Sequence, residues 1–251
     1  MTEAVIVARE EPVFYRRAAE MIAESAEAAI AARGKFTLAL SGGSTPTKLF
    51  GLLASDPFRS RIAWDKTFVF WGDERCVSPD HKDSNYKSAY DALLSKVPLP
   101  EANIFRMKGE SGSPVEAAAE YEARMRGVFG AGSFPKFDFM LQGMGDDGHT
   151  ASLFPGSTGL GETQKWVVAH RADKLKALRL TLTCPVINAA RRVVFFVGGV
   201  SKAEVLSKVL SGLSVGYPVE RVKPHGDLIW LLDAGAASKL GANIRQGATY
   251  L

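Results

Sequence analysis

The stretch QGMGDDGHTASLFPG, residues 142–156, closes the apolar run FDFMLQ, residues 137–142. Gly143, Gly145 and Gly148 match the spacing G-x-G-x-x-G, and Asp147 and His149 flank the last of these glycines. A dinucleotide-binding loop needs a long helix directly after the glycines. It also needs an acidic residue about twenty positions on, at the end of a second strand. Here Pro155-Gly156 interrupts early, and the next strand-like run, WVVAH (166–170), does not end on an acid. Asp173 comes only within the basic stretch RADKLKALR, residues 171–179. The other reading is a catalytic loop turned sharply by glycines at a strand end. His149 then serves as a general base near neutral pH, and Asp147 orients it or holds a substrate hydroxyl. On residues alone, a histidine that merely caps the next helix fits equally well.

Outward from this loop, short apolar runs alternate with helical stretches. AVIVA (4–8), FTLAL (36–40), TFVFW (67–71), WVVAH, RLTLT (179–183), VVFFVGG (193–199) and LIWLLD (228–233) read as further strands. Helices are predicted from Pro12 to Arg33 with Gly34 as stop, near 46–54, from Asp83 to Val97, and over PVINAA (185–190). Capping boxes at Ser113–Glu116 and Ser201–Glu204 open two more, to about Val128 and Leu210, and AGAASKL follows the last strand. Near-continuous apolar strands separated by helices predict an α/β fold whose mostly parallel sheet is covered on both faces. No linker or repeat interrupts the chain, so a single domain over 1–251 is expected.

In such folds ligands bind beyond the carboxyl ends of the strands. Three polar loops follow strands: SGGSTP (41–46), GDER (72–75) and GMGDDGH (143–149). They are expected to share one crevice. In the first, Gly42 and Gly43 permit close approach, and the amides of Ser44 and Thr45 at a helix start suit a phosphate. An ordinary turn with Ser44 or Thr45 as helix cap explains the same residues. In the second, Asp73 and Arg75 either form local ion pairs or face a ligand, with Arg75 stabilising charge that develops on an oxygen. Arg179 and Lys202 are candidates to neutralise a phosphate, and ordinary surface cations otherwise.

Composition excludes other classes. The chain has 251 residues, 46% of them hydrophobic, which suffices for one large core. The net charge of +4 is spread, and no basic cluster is interleaved with aromatics, so no nucleic-acid partner is expected. No apolar run approaches the roughly eighteen residues of a membrane span. The charged start MTEAVIVAREEP lacks a signal-peptide core, and two distant cysteines make no disulfide framework. A cytoplasmic protein is expected. H-E-x-x-H is absent, and the four scattered histidines with two distant cysteines make no metal-ligand spacing, so no metal is expected. GLSVG (212–216) matches G-x-S-x-G but follows a helix rather than a strand, so no serine nucleophile elbow is indicated.

Five segments in order, SGGSTP, GDERCV (72–77), GMGDDGHTASLFPG (143–156), RLTLTCPVINAARR (179–192) and GGVSKAEVL (198–206), resemble the 6-phosphogluconolactonase family of the bacterial single-domain type. The resemblance implies a Rossmann-like three-layer α/β/α fold, shared with glucosamine-6-phosphate deaminase and ribose-5-phosphate isomerase. It implies hydrolysis of 6-phosphogluconolactone to 6-phosphogluconate in the pentose phosphate pathway, without a cofactor, by a monomer or small homo-oligomer. On this reading His149, Asp147 and Arg75 are catalytic. Gly42, Gly43, Ser44, Thr45, Asp73, Arg179 and Lys202 hold the phosphorylated substrate. The deaminases follow a similar Asp-Gly-His loop with Asn-Glu-Pro-Gly, whose glutamate supports the histidine. Here Leu153-Phe154-Pro155-Gly156 stands in that place, and Phe154 cannot carry a proton. This favours the lactonase. A non-catalytic sugar-phosphate sensor, the other class, would need a helix-turn-helix segment, for which the start of the chain leaves no room.

Overall fold

Along β2 (Phe36–Leu40), Phe36, Leu38 and Leu40 enter one buried cluster and Ala39 enters another. The same alternation runs along β3 (Thr67–Trp71), β5 (Phe139–Gln142) and β8 (Arg192–Val197). Side chains of a strand point to opposite faces in turn, so both faces of this sheet are buried. The computed structural model describes residues 3–172 and 177–251. Asp173 and the centre of RADKLKALR lie outside the described residues.

The main sheet has seven strands in the order β10-β1-β9-β8-β5-β2-β3, all paired in parallel. β1 is Glu3–Ala8, β9 is Asp227–Asp233, and β10 is the two-residue Thr249–Tyr250. One face is covered by α1 (Glu11–Arg33), α2 (Ser44–Leu53), the short α3 (Phe58–Arg61) and α4 (Asn85–Ala92). α5 (Pro114–Phe129), α6 (Cys184–Ala189) and α7 (Ala203–Leu210) cover the other. Each fully buried Leu or Phe in these layers contributes about 1.5–3 kcal/mol. α8 (Ala242–Gly247) precedes β10. The three-layer α/β/α expectation holds.

Several local expectations do not. Asp73–Arg75 is not a loop tip but a strand, β4. It pairs antiparallel with β7 (Ala177–Leu182), which pairs antiparallel with β6 (Val167–Ala172) in a separate three-stranded sheet. WVVAH and RLTLT therefore build a second sheet rather than extending the first. The helix predicted over 83–97 is shorter: Ser84 caps α4 by accepting from Lys87 N–H, and a 3₁₀ turn follows at Leu94–Lys96. Neither Ser44 nor Thr45 caps α2, because Gly43, at φ 111°, occupies the cap position. Ser113 does cap α5. Ser201 caps nothing, since the bond from Lys202 N–H to Gly199 C=O winds Val200–Lys202 into a 3₁₀ turn that feeds directly into α7. AGAASKL holds a 3₁₀ turn, Ala236–Lys239, in place of a helix.

Candidate active site

β8, β5, β2 and β3 are neighbours, and their carboxyl ends carry the polar loops. The chain runs from β2 outward to β3 on one side, while β5 continues to β8 on the other. Such a reversal opens a crevice at the strand ends. A cavity of about 210 Å³ lies there. Gly42, Asp73, Arg75, His149, Arg179 and Lys202 all line it. Asp147 stands behind His149. Gly43, Ser44 and Thr45 begin α2 beside Gly42 but do not line the cavity.

His149 Nδ1 lies 2.5 Å from Asp147 Oδ1, and the His149 N–H donates to the same oxygen at 3.3 Å. With Nδ1–H donating to the carboxylate, Nε2 is left as the acceptor. The Gly145 N–H donates to the His149 carbonyl at 2.8 Å, which closes the loop on itself. A Cβ on Gly145 would overlap the His149 ring and stand 2.8 Å from Asp147 Oδ1. Gly148 has φ 71°, in the left-handed region, with the Tyr217 ring packed against it. Both glycines therefore serve the histidine. Residues 150–157 form turns, so His149 caps no helix, and the helix that a dinucleotide site needs does not follow. Phe154 is buried against His149, with ring centroids 4.4 Å apart. Ala151 borders the cavity at φ 48°, a strained conformation for a residue with a Cβ.

The cations come from two sides. Arg75 on β4 faces Arg179 on β7 as its register partner. Arg75 Nη1 donates to the Asp83 carbonyl, and Arg179 Nη1 donates to the Leu178 carbonyl at 3.1 Å. Burial, and then the charge of Arg75, push the Arg179 guanidinium below its ordinary pKa. Lys202 enters from the turn after β8. None of the three is ion-paired with a carboxylate among the described residues. Asp73 is fixed otherwise: Ser152 Oγ donates to Oδ2 at 2.7 Å, and Asn85 Nδ2 donates to Oδ1 at 3.2 Å. Each carboxylate oxygen keeps a further acceptor site.

Ser41, Ser152 and Phe154 also line the cavity. Ser41 and Ser152 fall inside segments that carry the family resemblance, but a serine in a polar loop gives no signal of its own. Asn85, in HKDSNYK (81–87), gives no pattern from which its role could be read. A larger cavity, about 540 Å³, opens between Trp230 and the 209–224 segment. It holds none of the candidate residues, so convergent chemistry rather than size identifies the site. Among the described residues, no three His, Cys, Asp or Glu side chains group to hold a metal ion. No helix there is long and apolar enough to cross a membrane.

The fold is of the three-layer α/β/α class, with a histidine–aspartate pair and three cations at its switch point. Within that class, the chain belongs to the family described as glucosamine-6-phosphate isomerases/6-phosphogluconolactonase, whose model matches residues 9–230. It is 40% identical to a 6-phosphogluconolactonase of Nostoc sp. over 96% of this chain and 99% of that one. It is 42% identical to the Synechocystis sp. 6-phosphogluconolactonase with the same coverage. The 6-phosphogluconolactonase structure from Trypanosoma cruzi is 30% identical and superposes with a TM-score of 0.86, covering 96% of this chain and 99% of that one. A monomeric glucosamine-6-phosphate deaminase, 21% identical with a TM-score of 0.80 over 94% of this chain and 99% of that one, shares the fold.

Proposed function

We propose that this chain, acting as one domain in the cytoplasm, hydrolyses 6-phosphogluconolactone to 6-phosphogluconate. The observation that carries the reading is the meeting of the His149–Asp147 pair with three cations in one cavity. Water is the nucleophile. His149 Nε2 takes its proton as the oxygen attacks the lactone carbonyl, and Asp147 holds the imidazolium that forms. When the tetrahedral intermediate collapses, the bond from the carbonyl carbon to the ring oxygen breaks. His149 returns the proton to that oxygen, and no covalent enzyme intermediate arises. Phe154, which carries no proton, lies beside the imidazole where the deaminases have a glutamate, and this favours lactone hydrolysis over their glutamate-assisted chemistry.

Arg75, Arg179 and Lys202 hold the phosphate, with the amides at the start of α2, from Gly43 to Thr45, beside it. The sequence set Arg75 apart as an oxyanion ligand. Its pairing with Arg179 favours one shared anion for both guanidinium groups. Asp73 accepts a sugar hydroxyl. Binding the remote phosphate fixes the ring so that its carbonyl meets the activated water. Phosphorylated lactone supplied to the purified protein, with acid release followed against spontaneous hydrolysis, tests the assignment. A rate no faster than the uncatalysed one would overturn it.

A further inference from the structure

Glu74 lies between Asp73 and Arg75 on β4 yet does not line the cavity. Strand alternation turns it to the opposite face, where it is 3% exposed. Its carboxylate accepts four hydrogen bonds there. Oε1 receives the N–H groups of Arg75 (2.8 Å) and Asn85 (2.7 Å). Oε2 receives Ser84 Oγ (3.1 Å) and the N–H of Tyr86 (2.8 Å). Three of these donors belong to one turn, Ser84-Asn85-Tyr86, at the start of α4.

That turn shapes the cavity from behind. The Asp83 carbonyl, one residue before it, accepts from Arg75 Nη1. Asn85 Nδ2 holds the Asp73 carboxylate and also donates to the Asp73 carbonyl at 2.9 Å. The Asn85 amide fills the space beside Gly42, where any Cβ would overlap it. Arg75, Asp73 and the Gly42 loop therefore all lean on one turn, and beside the bonds of Asn85 and Arg75 the Glu74 carboxylate supplies three of the bonds that tie this turn to β4.

We propose that Glu74 is a positioning residue for substrate binding, which sets Arg75, Asp73 and the Gly42 loop by fastening the first turn of α4 to β4. The proposal rests on the sugar-phosphate reading of the cavity. An ionised carboxylate offers about four acceptor sites and no donor. Glutamine in its place turns an NH₂ group toward backbone N–H donors, whichever way the amide faces. The turn then shifts, and the groups that lean on it shift too. A residue that only caps α4 would change stability and leave binding alone.

The test is Glu74→Gln, with KM and kcat for 6-phosphogluconolactone, the inhibition constant of 6-phosphogluconate, and the thermal midpoint measured on the same preparation. KM and the inhibition constant should rise together by roughly ten- to a hundred-fold in the folded variant, since charge-assisted bonds of this kind carry such effects. The change in kcat should be much smaller, because no hydrogen bond among the described residues joins residues 143–149 to the turn. Unchanged KM and inhibition constant in folded Glu74→Gln overturn the proposal. Should that variant not fold, Ser84→Ala removes one of the four bonds and should raise KM several-fold, and a wild-type KM there overturns it equally. A wild-type protein that neither hydrolyses the lactone nor binds 6-phosphogluconate would instead sink the reading of the cavity, and this proposal with it.

Discussion

Arg75 and Arg179 stand directly opposite one another across β4 and β7, a like-charged cross-strand pair on the wall of the cavity. Like charges in this position destabilise a sheet by about 0.2–1 kcal/mol. A ligand anion between them removes the repulsion. Arg179→Gln should therefore leave the thermal midpoint of the ligand-free protein unchanged or raise it, while KM rises roughly ten- to a hundred-fold. A saturating anion should stabilise the wild type by about 2.7 kcal/mol at a hundred times its Kd. Thermal scans with and without 6-phosphogluconate check this. An equal ligand-induced shift in wild type and variant would remove Arg179 from the site.

Arg75→Ala should behave as Arg179→Ala does, with a higher KM and a nearly constant kcat, because a phosphate keeps its charge through the reaction. Lys202→Ala should follow the same pattern. The Arg75 and Arg179 substitutions should also be non-additive when combined, as neighbours sharing one partner are. Steady-state kinetics on the single and double variants decides the matter. A fall in kcat alone for Arg75→Ala would restore the oxyanion role.

His149→Ala should lower kcat by about 10²–10⁴-fold, the usual share of a general base, with the fold intact by circular dichroism. Gly145→Ala is the sharper case, because it removes no chemical group. Its new Cβ displaces the imidazole from Asp147 and should lower kcat in the same direction. A Gly145→Ala enzyme of wild-type kcat would show that the observed His149–Asp147 geometry is not the working one.

Burial pushes the Glu74 carboxyl above the ordinary carboxylate range, against the pull of the N–H groups of Asn85, Tyr86 and Arg75, and nearby Asp73 adds to the rise. The unfolded value is about 4.3. The folded chain therefore holds this proton more tightly. The stability it contributes is fully present below the unfolded value and is lost as pH rises through the folded one. Relative to Glu74→Gln, the wild type should lose thermal midpoint as pH climbs from about 4 toward neutrality. Midpoints for both proteins in half-unit pH steps measure this. A gap that widens in favour of the wild type would contradict it.

Exhaustive dialysis against a chelator should leave lactone hydrolysis unchanged, since the proposed mechanism moves its proton through His149 alone. Activity lost on dialysis and restored by one divalent metal would overturn that mechanism.

Local pattern made much of this protein legible. The apolar runs that became β2, β3, β5, β8 and β9 are buried on both faces, so they read as strands without knowledge of their partners. The loops after them are polar because they end a buried sheet, and this pointed to Gly42, Arg75, Asp147 and His149. What the tertiary structure alone decided depends on pairing between distant segments. Asp73–Arg75 is too short to declare itself a strand, and becomes one only because β7, more than a hundred residues away, supplies its hydrogen bonds. The same register sets Arg75 against Arg179, which no spacing in the chain encodes. Glu74 looked like one more charge in a polar loop until alternation turned it inward, onto N–H groups eleven and twelve residues on. Hydrophobic periodicity is a property of neighbouring residues. The partner of a buried charge is a property of the packed chain, because burial is what obliges that charge to find one.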